Sequence, residues 1–284
     1  MKWEDRGRSA NVEDRRARSG PARAGVPLGI GGVLLLVAIS LLTGTDLFAL
    51  LGVSPGAPQT QSPGASQQEL AAEEEQVRFV SFVLDDIQGT WAQIFTNSGM
   101  NYPAAQMVLF RQAVESACGV APSSAGPFYC PGDRKMYIDL AFYEVLRERY
   151  GAPGDFAEAY VIAHEMGHHV QNLLGTLSEV RQQQQAQPSA ANRYSVALEL
   201  QADCFAGIWA SSAGSRSLLE SGDLQEGLAA AAAVGDDRLS GTSGRIVNQE
   251  SFTHGTSAQR MQWFQTGYDS ADPQRCDTFT VLLN

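Results

Sequence analysis

The stretch Asp155–Gly175, DFAEAYVIAHEMGHHVQNLLG, constrains this chain more than any other. It contains His164-Glu165-Met166-Gly167-His168, a pattern that carries chemistry only on a helix. The flanks predict one. Gly151, Pro153 and Gly154 interrupt any preceding element. Asp155, with Glu158 three residues on, has the form of a capping box, and Gly175 suits the end of a helix. About 19 residues lie between, roughly 28 Å at 1.5 Å per residue. His164 and His168 are then one turn apart on one face, where two neutral imidazoles can share a Zn²⁺ ion. Glu165 stands beside them, placed to handle water rather than to ligate. A polar helix face with solvated histidines would show the same spacing, but three of the chain's four histidines fall in this helix.

A third ligand is available downstream. Ala191–Ala210, ANRYSVALELQADCFAGIWA, has a helical pattern that places Glu199 and Asp203 one turn apart on one face. The 31 residues from His168 to Glu199 allow the chain to turn and return antiparallel. Glu199 would complete a His₂Glu set with one position open, as catalytic zinc requires. Asp203 would accept the free ring N–H of a ligand histidine. His254, the remaining histidine, starts a last helix at Ser251–Phe264 and is a candidate oxyanion donor or a capping residue. His169, about 100° around the helix from His168, should face packing or a supporting partner.

The rest of the chain reads as one domain with appendages. Residues 1–25 carry seven basic and four acidic side chains, and the remainder a net charge of −14. This predicts a disordered basic arm beside an acidic body. The overall charge of −11 argues against nucleic acid as a partner. Val26–Leu42 is free of charge and the apolar character continues to Leu51, so residues 26–52 read as a transmembrane anchor. The positive-inside rule then leaves the arm cytoplasmic and the body outside. Residues 53–68, rich in Pro, Gly, Ser and Gln, read as a tether, and the folded domain as residues 69–284.

Within that domain, Val77, Val80, Leu84, Ile87, Trp91 and Ile94 recur at helical spacing as a core stripe. Residues 104–118 fit a short helix or a strand. Gly126–Cys130 and Lys135–Asp139, around the turn Pro131-Gly132-Asp133, predict a hairpin whose edge could hold an extended peptide. Asp139 could cap a following helix. Thr176–Pro188 reads as a polar surface insertion, and Asp223–Val234 as a packed helix. Four cysteines in an extracytoplasmic domain allow two disulfides in three connectivities; Cys118–Cys130 would staple the hairpin and Cys204–Cys276 would tie the Glu199 helix to the C-terminal tail.

With these motifs placed, the chain resembles a bacterial family of membrane-anchored neutral zinc metallopeptidases. The resemblance runs from MKWEDRGRSANVEDRR through GPFYCPGD, HEMGHHVQNLLG, ELQADCFAG and SFTHG. It implies an α+β, predominantly α, zincin-like domain with a small sheet. It also implies His164, His168 and Glu199 on one catalytic zinc, Glu165 as the general base and acid, and a peptide or protein substrate. The oxyanion would be held by zinc with His254 or Tyr129. The other reading is an inactive metal-binding scaffold or regulator anchored in the membrane, and a third is a structural protein without metal.

Overall fold

The computed structural model describes residues 1–18, 64–241 and 252–283. After the strand Val12–Asp14 (β1), Gln67–Ala72 (α1) leads into Glu74–Asn97 (α2). α1 begins on a reciprocal capping box between Ser66 and Glu69. On α2 the predicted stripe is core: Val77, Val80, Leu84 and Ile87 are fully buried, with Trp91 beyond them. Burial of each such aliphatic side chain contributes roughly 1.5–3 kcal/mol.

Five strands follow: β2 (Gln106–Phe110), β3 (Ala113–Ser116), β4 (Gly119–Pro122), β5 (Phe128–Cys130) and β6 (Lys135–Asp139). Helices α3 (Ala141–Glu148), α4 (Asp155–Leu174), α5 (Thr176–Ala186) and α6 (Ala191–Ser215) come next. The chain closes with α7 (Asp223–Ala233), α8 (Asp236–Gly241), α9 (Ser257–Ser270) and α10 (Thr278–Leu283). The result is a mostly helical α+β fold. The ambiguous 104–118 segment is strand, and the low-complexity insertion after Gly175 is the largely exposed helix α5, pinned by the buried Val180.

The main sheet has the order β1-β2-β6-β5. β1, β2 and β6 are parallel, while β5 pairs antiparallel with β6, Tyr129 facing Met136. The expected hairpin is therefore present, with β5 as the end strand. Asp139 receives the Ala141 amide at 3.1 Å at the start of α3. Cys118–Cys130 and Cys204–Cys276 are both disulfide-bonded.

The disordered arm expected at the N-terminus is not what residues 1–18 form. β1 lies beside β2, with Val12 opposite Met107. Trp3 packs edge-on against Phe79, and the Arg16 side chain is wholly buried between Asp14 (2.8 Å) and Glu73 (2.7 Å). Arg78 meets Asp5 at 2.8 Å and Lys135 meets Glu13 at 3.0 Å. The charges that made this segment look unfoldable are thus matched by partners on α2 and β6. Asp155 likewise departs from expectation. It is the first helical residue of α4 rather than its cap, which is Gly154, and its carboxylate lies 2.6 Å from the Met1 ammonium. Among the described residues no helix is long and apolar enough to cross a membrane; the expected span at 26–52 lies outside them, as does most of the tether.

Two close helix crossings bring the functional elements together. A Cβ on Gly167, inside the histidine pair, would sit 2.9 Å from the Ala202 Cα, so this glycine lets α6 lie against α4 beside Glu199 and Asp203. A Cβ on Gly207 would meet the Phe264 carbonyl oxygen at 2.0 Å, and one on Gly267 the Cys204 oxygen at 1.9 Å. α6 and α9 therefore touch backbone to backbone, which is only possible without side chains at both positions.

Candidate metal centre

α4 and α6 bring His164, His168 and Glu199 to one point. Glu199 Oε2 is 3.2 Å from His164 Nε2, and Oε1 is 3.4 Å from His168 Nε2. One ligand atom from each residue lies within 4.8 Å of the other two. Tetrahedral zinc with bonds of about 2.0–2.1 Å has ligand-to-ligand edges of roughly 3.3–3.4 Å. Each imidazole faces its own oxygen of the carboxylate at close to such an edge, and two imidazoles with a carboxylate are the donors zinc takes, so these residues fit the ion.

Both histidines are oriented from behind. His164 Nδ1 lies 2.8 Å from Asp203 Oδ1, the partner expected from the sequence. Because an ionised carboxylate only accepts, Nδ1 carries the hydrogen, which leaves Nε2 as the ring atom that binds a metal once the proton facing Glu199 is displaced. His168 Nδ1 lies 2.8 Å from Gln171 Oε1, while Gln171 Nε2 donates to the Leu198 carbonyl at 2.7 Å. That second bond fixes the amide orientation, so His168 Nδ1–H is also the donor. Gln171 is one turn beyond His168, a spacing that was there to be read.

Charges in the site reinforce one another. Burial opposes ionisation of Glu199, yet the facing imidazoles hold its carboxyl well below the usual carboxylate range. Burial likewise opposes a charge on His164, and Asp203 followed by Glu199 outweighs it, raising the ring to about 10. A metal entering here displaces protons from these rings.

Glu165 is buried beside the ligands, and its carboxylate makes no hydrogen bond to a described residue. It is therefore not committed to a structural partner. His169, by contrast, is fully committed. Its Nε2 lies 2.7 Å from the Pro103 carbonyl and its Nδ1 3.0 Å from Tyr129 Oη. Nε2 must donate to the carbonyl, so Nδ1 accepts and the Tyr129 hydroxyl donates to it; Asn172 Nδ2 donates in turn to Tyr129 Oη at 2.9 Å. The Tyr129 hydrogen is used in this chain, which ties end strand β5 to α4. Burial pushes the Tyr129 phenol up to about 12.

His254 is not joined to the metal ligands by any contact among the described residues. Its half-exposed ring has Nδ1 3.1 Å from Asp236 Oδ1. Asp236 Oδ2 also receives the backbone N–H groups of Thr253, His254 and Gly255. This loop lies against α6: a Cβ on Gly255 would be 3.2 Å from both Val196 and Leu200, on the same helix as Glu199.

A family model described as "Putative neutral zinc metallopeptidase" matches residues 1–279. The chain belongs to this family. The match starts at residue 1, so it takes in the N-terminal segment that carries β1. "Uncharacterized protein YpfJ" of Escherichia coli (strain K12) is a relative 47% identical over 288 residues, which cover 98% of this chain and 99% of that protein. "Uncharacterized protein Rv2575" of Mycobacterium tuberculosis (strain ATCC 25618 / H37Rv) is 41% identical over 256 residues, 82% of this chain and 85% of its own. No solved structure matches the chain.

Proposed function

We propose that this family member is a zinc-dependent peptidase in which Glu165 moves the proton. The observation that carries the reading is the convergence of His164, His168 and Glu199 within 4.8 Å, with an uncommitted carboxylate beside it. Bound there, zinc supplies a Lewis acid that polarises the scissile carbonyl and lowers the pKa of water. Glu165 takes the proton released as water attacks and delivers it to the leaving amine. His164 and His168 are held in the ligating tautomer by Asp203 and Gln171. An extended peptide can add to the outer edge of β5, which Tyr129 ties to α4. His254 is the candidate for an additional donor to the oxyanion: Asp236 holds Nδ1, which leaves Nε2 available.

Two disulfides support an extracytoplasmic location for the domain. A strand pair and buried ion pairs do not form across a bilayer, so an extracytoplasmic domain takes the docked residues 1–18 with it. This departs from a single crossing with a cytoplasmic N-terminus.

The test is hydrolysis of a mixed peptide library by the full chain, read by mass spectrometry. Cleavage should require zinc, disappear on chelation and return with one equivalent of the metal, and His254→Ala should lower kcat. Stoichiometric zinc without any cleavage would favour the scaffold reading.

A further inference from the structure

Behind the metal ligands sits a buried cation that the sequence does not announce. Arg260, in the first turn of α9, is 2% exposed. Its Nε donates to Asp203 Oδ2 at 2.7 Å and its Nη2 to Asp203 Oδ1 at 2.8 Å, a two-pronged fork. Nη1 donates to the Val234 carbonyl at 3.3 Å. Nη2 also lies 3.2 Å from both Tyr160 Oη and His164 Nδ1. Asp203 Oδ1 thus collects three groups: Arg260, the Tyr160 hydroxyl and the His164 ring.

We propose that Arg260 is a positioning residue of the metal centre: its fork fixes the Asp203 carboxylate, and through it the ring of His164. Asp203 is wholly buried, so its carboxylate is held by protein donors and not by bulk solvent. With the fork in place, the carboxylate can neither rotate about its Cβ–Cγ bond nor leave the line of His164 Nδ1. The Gly207 and Gly267 contacts set the depth of α9 and hence the reach of Arg260 to Asp203. A lysine carries the same charge but delivers it as a point, without the planar pair of donors. The inference rests on His164, His168 and Glu199 binding zinc, but not on peptide hydrolysis.

The test measures zinc affinity by chelator competition and the visible spectrum of the cobalt-substituted protein. Wild type, Arg260→Gln, Arg260→Lys and Phe264→Leu are compared. Phe264 is buried on the same helix face, so its variant reports general loosening of α9. Outer partners of ligand histidines typically change metal affinity by about 10–100-fold. Both Arg260 variants should fall in that range and change the cobalt spectrum, while Phe264→Leu lowers Tm with affinity and spectrum unchanged. Should Arg260→Gln not fold, Arg260→Lys alone decides, because it keeps the buried charge balanced. Wild-type affinity and spectrum in Arg260→Lys would overturn the proposal. So would affinity losses no larger than that of Phe264→Leu at equal Tm. If wild type itself bound no zinc, the zinc-centre reading and this inference with it would fall.

Discussion

Glu165→Gln should bind one zinc as tightly as wild type and lose peptide hydrolysis by about 10²–10⁴-fold in kcat. Glutamine keeps the shape of the side chain but cannot take a proton at neutral pH. The structure separates this residue from its neighbours on the helix. Glu165 is not among the three groups that converge on the metal position, and it makes no hydrogen bond to a described residue. Replacing the carboxylate by an amide of the same shape therefore costs neither a ligand nor a hydrogen bond among the described residues. His164→Ala should behave differently, because it removes a ligand: zinc and activity should go together. Glu165→Gln with unchanged kcat would assign the proton transfer to another group. Loss of zinc in the same variant would make Glu165 a ligand.

Arg16→Ala should destabilise the protein by about 1.5–3 kcal/mol, the range for losing a hydrogen-bonded charge whose partners keep other cations. At about 2–4 °C per kcal/mol for a domain of this size, Tm should fall by about 3–12 °C. The Arg16 side chain has no solvent exposure, and its removal takes a buried partner from Glu73 and Asp14, which keep Arg111 and Arg8 respectively. Arg6→Ala should change Tm by no more than a few degrees, because that side chain is 72% exposed, pairs with the equally exposed Glu4 and otherwise only stacks over the Phe82 ring among the described residues. Docking of the segment also has a topological consequence that can be measured separately. Among the described residues there is no free cysteine, so Arg6→Cys and Val281→Cys each introduce one thiol at an exposed position. In intact cells an impermeant maleimide should label both or neither. Labelling of one alone would mean that the segment does not dock on the domain in the cell. Equal Tm values for Arg16→Ala and wild type would mean the same.

How much of this could be read beforehand follows from the range of the interactions concerned. His164, Glu165 and His168 are set by local helical spacing, and the elements that bracket α4 are local too. Glu199 and Asp203 needed only one more periodic segment and enough chain to return. The hairpin followed from short strands around a turn, and the parity of the cysteines gave two disulfides while leaving three connectivities open. Residues 1–18 were misread because their charges are neutralised at long range: Arg16 by Glu73 and the Met1 ammonium by Asp155. Composition sees the charges and not the partners. Asp155 had the form of a cap, but its carboxylate is drawn to that ammonium and Gly154 takes the cap position. The tight crossings at Gly167, Gly207 and Gly267 were invisible because a glycine in a helix gives no apolar signal. Arg260 was missed for a related reason. A single arginine in a polar helix reads as surface, although it stands one turn before the buried Phe264 on the same face. Gln171 could have been found, since it repeats on His168 the one-turn geometry that identified the pair.

The claim on which the rest depends is that one zinc ion is held between α4 and α6. Diffraction from crystals of the zinc-loaded chain, recorded above and below the zinc absorption edge, locates the ion without reference to activity. The account predicts one anomalous peak about 2.0–2.2 Å from His164 Nε2, His168 Nε2 and a Glu199 oxygen. No peak there, or a peak instead among Asp155, Asp223 and Glu226 at the head of α4, would contradict it.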